Sequence, residues 1–147
     1  MRNITLFLFW WFLFFSISTS SADNEINLDI DENGEYDALS DGLLIIRYLF
    51  GLTGDDLVSG ILGSNSLVVE PIEIKSKLDS MRANLDVDGN GSVDALTDGL
   101  LILRYLFGLR GDSLVTQVIG TGAARNSSES IEDYVKSIMP SITLIEG

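Results

Sequence analysis

Residues 86–109, DVDGNGSVDALTDGLLILRYLFGL, set an acidic, glycine-rich run directly against one of the most apolar segments of the chain. Residues 29–52, DIDENGEYDALSDGLLIIRYLFGL, do the same 57 positions earlier. Sliding the chain against itself gives one register, in which 27–83 align with 84–140 without a gap and 27 of 57 columns are identical. Of those identities, 25 fall in the first 37 columns, so whatever the repeat does is concentrated in 27–63 and 84–120.

Each unit reads as loop, long helix, short helix, linker and helix. From Asp37 to Phe50 the residues are helix formers, apolar on nearly all sides, which predicts burial on more than one face. Gly51 and Gly54 stop this helix, Asp55 is a candidate N-cap for a short helix reaching Ile61, and Gly63 closes that one. A last helix over 72–82 follows Pro71, a residue suited to a first helical position, with Ile74, Leu78 and Met81 on one stripe. Its counterpart over 129–139 carries Ile131, Val135 and Ile138 and ends at Pro140. No strand pattern of useful length occurs, so the fold class is all-α, with two tandem repeats (27–83 and 84–140) packed about a pseudo-two-fold axis.

Both loops spell D-x-D-x-N-G-x-x-D: Asp29, Asp31, Asn33, Gly34 and Asp37 in the first, Asp86, Asp88, Asn90, Gly91 and Asp94 in the second. Oxygen-bearing side chains at positions 1, 3 and 5 can converge on one point, the glycine at 6 permits the sharp turn, and the main-chain carbonyl at 7 (Glu35, Ser92) adds a further oxygen. Carboxylates crowd in this way around a cation, and an all-oxygen donor set without His or Cys favours Ca²⁺, with Mg²⁺ second. Two ions are expected, one per loop.

The two loop–helix segments resemble the EF-hand loop and, more narrowly, the duplicated calcium-loop-plus-helix of dockerin type I modules. In that pattern an acid twelve places along closes the coordination shell. Position 12 here is Ser40 or Thr97, and the acid falls one place later, at Asp41 or Asp98. A one-residue expansion is therefore expected, with Asp41 and Asp98 closing the shell from the first helical turn and Asp37 and Asp94 binding either directly or through water. The resemblance implies a calcium-dependent docking module whose partner is a cohesin-like protein, in a setting such as polysaccharide breakdown. Where that family often carries a hydroxyl pair and a basic pair, this chain has Leu39-Ser40, Leu96-Thr97, Ile46-Arg47 and Leu103-Arg104. The alternative is a free-standing extracellular protein in which calcium is purely structural. Burial of Tyr48, Phe50, Tyr105 and Phe107 would favour that alternative, because no aromatic anchor would then remain on these helices.

Composition narrows the partners. The 147 residues carry 9 Lys+Arg against 22 Asp+Glu, a net charge of −13, which disfavours nucleic acid and anionic membrane. With no His and no Cys, the common base and thiol nucleophiles are missing, and the chain is not expected to be an enzyme. Residues 1–22, with Arg2, an apolar run over 4–15 and a small-residue end at Ala22, match a secretory signal peptide. That run is shorter than the roughly 20 residues that span a bilayer. The expected product is a secreted or periplasmic calcium-binding domain over 23–140 followed by a short tail, 141–147. Arg110-Gly111-Asp112 resembles an adhesion tripeptide, but unit one has Thr53-Gly54-Asp55 there, so the shared Gly-Asp is read as structural.

Overall fold

The computed structural model describes residues 26–140, so the signal-peptide reading of 1–22 and the tail at 141–147 lie outside the described residues. Among the described residues every regular element is helical. Helix α1 opens as a π-helical turn, Ala38–Gly42, and continues as an α-helix, Leu43–Leu49. It is followed by α2 (Asp55–Val58) and α3 (Pro71–Met81), the latter extended by a 3₁₀ turn, Arg82–Leu85. The second repeat matches: α4 is a π turn, Ala95–Gly99, with an α-helix, Leu100–Leu106, then α5 (Asp112–Val115) and α6 (Ser128–Ser137). No helix among the described residues is long and apolar enough to cross a membrane.

The start of α1 is fixed by Asp37. Its backbone is extended (φ −129°, ψ 154°), and its carboxylate accepts from the N–H groups of Leu39 at 2.9 Å and Ser40 at 2.8 Å. That satisfies donors that the first helical turn would otherwise leave without partners. Asp94 caps α4 through Leu96 and Thr97, both at 3.0 Å. The Gly42 N–H reaches Asp37 O at 3.1 Å and the Gly99 N–H reaches Asp94 O at 3.1 Å, five residues back in each case. One extra residue is thus accommodated in the first turn, the usual origin of a π bulge. Both long helices end as expected, Phe50 and Phe107 standing at the C-caps and Gly51 and Gly108 following with φ of +84°.

The short helices differ from expectation. Gly54, not Asp55, is the N-cap of α2, and the helix stops at Val58 instead of reaching Ile61. Asp55 lies in the first turn, where a carboxylate favours the positive end of the helix without capping it. Helix α6 has a full capping box, in which Ser127 Oγ accepts from Ser130 N and Ser130 Oγ lies 3.3 Å from Ser127 N.

One core joins the repeats. Leu44, Ile45 and Tyr48 of α1 and Leu101, Ile102 and Tyr105 of α4 are buried with the α3 and α6 stripes (Ile74, Leu78, Met81; Ile131, Val135, Ile138). The two long helices meet at their N-terminal turns: a Cβ on Gly42 would lie 2.7 Å from Leu103 Cδ1, and one on Gly99 would lie 3.2 Å from Ile46 Cγ1. Because Gly99 is the repeat counterpart of Gly42 and Leu103 that of Ile46, the contact is isologous, as in a two-fold dimer. The ends of the chain's two units also meet. Leu28 N donates to Ile138 O at 3.3 Å and the Tyr36 hydroxyl donates to Pro140 O at 2.7 Å, so the C-terminal helix ends beside the first loop. In the same way α3 runs through Arg82–Leu85 directly into the second loop.

Candidate metal centres

Within each loop the backbone is wound by its own side chains. Asp29 accepts from Asn33 N at 3.1 Å through one oxygen and from Gly34 N at 3.0 Å through the other. Asp86 does the same for Asn90 N and Gly91 N, at 3.1 and 2.9 Å. Asn33 Oδ1 accepts from Glu35 N at 2.8 Å, and Asn90 Oδ1 from Ser92 N at 2.7 Å. These bonds turn the chain so that positions 1 and 3 face one centre.

The acid at position 13 arrives from the helix. Asp41 Oδ1 accepts from Ile30 N at 2.6 Å and its Oδ2 from Asp37 N at 3.0 Å. Asp98 accepts from Val87 N at 2.7 Å and Asp94 N at 3.0 Å. The π turn carries this acid around the widened first turn to the loop's interior, so the expected one-residue expansion and the observed π bulge coincide. Asp29, Asp31 and Asp41 each place a carboxylate oxygen within 4.8 Å of the others, and so do Asp86, Asp88 and Asp98. All are buried except Asp86, which is half-buried.

The spacing fits an ion. Oxygens held at about 2.3–2.6 Å from one cation stand up to roughly 5 Å apart. None of the ion pairs among the described residues takes one of these six carboxylates. Burial, the leading cause, pushes the Asp41 carboxyl up to about 7, and it also raises those of Asp29 and Asp98. Groups so placed either hold protons or share a cation.

The other sequence-predicted residues sort into two roles. Asp37 and Asp94 cap the helices, and each second carboxylate oxygen accepts a hydroxyl, from Ser40 at 2.7 Å and Thr97 at 2.9 Å. Asp31, Asn33, Glu35 and Asp37 line an open cavity of about 190 Å³ beside the first centre, with the Glu35 side chain on the exposed side.

Sequence reasoning missed the linkers. Leu67 N and Val68 N donate to Asp31 O at 2.9 and 3.0 Å, and Arg125 N donates to Asp88 O at 2.8 Å. Lys77 Nζ reaches Asp29 O at 2.6 Å, while Arg125 Nε and Nη2 reach Val87 O and Asp86 O, both at 2.6 Å. Lys77 and Arg125 are not repeat counterparts, so alignment of the two units does not pair them.

Other motifs resolve as structure. Arg47 and Arg104 donate to carbonyls around the ends of α2 and α5, including Ser59 O at 2.9 Å and Thr116 O at 3.0 Å, which ties each long helix to the short one that follows it. Arg110 lies 3.7 Å above the centre of the Tyr105 ring, pairs with Glu132 at 3.8 Å, and is thereby held on the fold. Comparison with known proteins gives no family model that matches the chain, no curated protein that matches it and no solved structure that matches it.

Proposed function

We propose that the chain is a secreted, calcium-binding repeat module that binds two Ca²⁺ ions and presents a protein-docking surface. The observation that carries the metal reading is the pair of repeat-related carboxylate triads, Asp29/Asp31/Asp41 and Asp86/Asp88/Asp98. Calcium is favoured over softer metals by a donor set made only of oxygen, and over Mg²⁺ by loops able to supply more than a tight octahedron. Asn33, Asn90 and the carbonyls of Glu35 and Ser92 are the remaining donors of this reading, with Asp37 and Asp94 acting as caps or through water. Ion binding offsets repulsion among buried carboxylates, so folding and binding are coupled.

Docking is supported by a split among the aromatic residues. Tyr48 and Tyr105 belong to the core, whereas Phe50 and Phe107 are 57% and 54% exposed, and Leu39 and Leu96 are also exposed. Exposed apolar residues repeated at the same register are available as anchors for a protein partner, of which a cohesin-type scaffold is the kind implied by the loop–helix resemblance. The reading assigns no catalytic role. Its test is calcium titration followed by thermal unfolding: two ions bound and a melting temperature raised by calcium and lowered by EGTA are expected. An unchanged melting temperature in EGTA would remove the metal reading. Loss of calcium-dependent partner capture on Phe50→Ala/Phe107→Ala, with two ions still bound, tests the docking role separately.

A further inference from the structure

We propose that the linkers at 63–68 and 120–125 are part of the metal centres, and that Ser66 and Gly120 are positioning residues for the third-position carboxylates Asp31 and Asp88. The proposal rests on the metal reading above and concerns residues outside the loop motif. In the first repeat a relay runs from Gly63 N to Ser66 Oγ at 3.0 Å and from the Ser66 hydroxyl to Asp31 Oδ2 at 2.6 Å. In the second, Gly120 N donates directly to Asp88 Oδ2 at 2.7 Å. One oxygen of each third-position carboxylate is therefore held by the linker. Asp31 Oδ1 and Asp88 Oδ1 accept from Asn33 N and Asn90 N within the loops.

Two further features make the linkers components of the centres. Their main chain donates to the carbonyls of the same two aspartates, so backbone and side chain of Asp31 and Asp88 are both fixed from outside the loop. The approach at Gly120 is also close: a Cβ there would sit 2.2 Å from Asn90 Nδ2 and 2.6 Å from Asp88 Oδ2. At Gly63 the only atom a Cβ would meet within 4 Å is Asn65 Oδ1, at 2.9 Å, inside the linker itself. The same task is thus done by a hydroxyl in one repeat and by a bare peptide N–H in the other. Partners that orient a ligating carboxylate typically contribute ten- to a hundredfold in metal affinity.

The test is a calcium titration of the full chain by ¹⁵N NMR. Gly34 and Gly91, whose N–H groups donate to Asp29 and Asp86, report the two centres separately. Ser66→Ala is expected to weaken the centre reported by Gly34 about ten- to a hundredfold and to leave the Gly91 centre within twofold. Ser66→Thr, which keeps the hydroxyl, should restore it. Gly120→Ala is expected to do the converse. Wild-type affinity at Gly34 in Ser66→Ala, or equal weakening of both centres, overturns the positioning role while leaving the metal reading intact. No response of either glycine in the wild-type protein overturns both.

Discussion

Gly42 packs against Leu103 so closely that a Cβ on the glycine would lie 2.7 Å from Leu103 Cδ1 and 3.7 Å from Leu103 Cα. The first atom can swing aside, since it ends a flexible side chain; the second belongs to the backbone. Gly42→Ala should therefore be nearly neutral, its local strain offset by the roughly 1 kcal/mol that alanine gains over glycine within a helix. Gly42→Val should lower stability by about 1–3 kcal/mol through overpacking. Thermal unfolding of the two variants checks the contrast, and equal melting temperatures would contradict this packing.

Acid should act oppositely on the metal-free and calcium-loaded protein. In the metal-free protein burial raises the Asp41 carboxyl to about 7, against an unfolded value of 3.8. The folded state then keeps a proton that the unfolded state releases, so this contribution is complete below about pH 4 and is lost as pH rises towards 7. Asp98 acts in the same direction. Calcium needs the ionised carboxylates, so in saturating calcium stability should rise with pH over the same interval. Melting curves at several pH values, in EGTA and in calcium, should have slopes of opposite sign.

The aspartates at positions 9 and 13 should separate by role. Asp37 already receives Leu39 N, Ser40 N and the Ser40 hydroxyl. Asparagine is an equally good cap, so Asp37→Asn should leave calcium stoichiometry at two and stability within about 0.5 kcal/mol, while Asp37→Ala should lose about 1 kcal/mol. Asp41→Asn should reduce the stoichiometry to one. Calorimetric titration and denaturant unfolding of the three variants distinguish cap from ligand.

Neighbouring aromatics should differ in the same way. Tyr48 is buried and its hydroxyl donates to Asp79 at 2.8 Å, whereas Phe50 is exposed at the helix end. Tyr48→Ala should cost about 3 kcal/mol or more. Phe50→Ala should fall within about 0.5 kcal/mol of wild type, as surface changes do. Urea unfolding measures both.

Much of this arrangement was legible in the chain itself. The repeat register gave the pairing of helices, the D-x-D-x-N-G spacing located both acidic clusters, and the acid displaced by one place, at Asp41 and Asp98, is the one that joins each cluster; the π turn that carries it there was not foreseen. The stripes of α3 and α6 were equally plain, because burial imposes a helical period. Other features left little trace. Gly54 takes the cap expected of Asp55 because cap geometry is decided by one backbone conformation, which the acidic residue beside it does not reveal. The linker contacts were hidden for a different reason: a peptide N–H, as at Gly120, serves as a donor whatever the side chain. The two units share only Ile74/Ile131 and Ser80/Ser137 beyond their first 37 columns, so alignment gave Ser66 no emphasis. Leu39 and Phe50 looked like core by hydropathy, yet they stand at the two ends of α1 with their side chains exposed.

The reciprocal seating of Gly42 and Gly99 has a consequence for how such a chain arises. Each 57-residue unit carries both the notch, a small residue at the helix start, and the knob that fills its twin's notch four residues later. Two separate copies of one ancestral unit could therefore clasp each other with no covalent joint. Duplication and fusion of such a unit would join both halves in one chain, leaving the position held by Ser66 in one half and Ala123 in the other free to diverge.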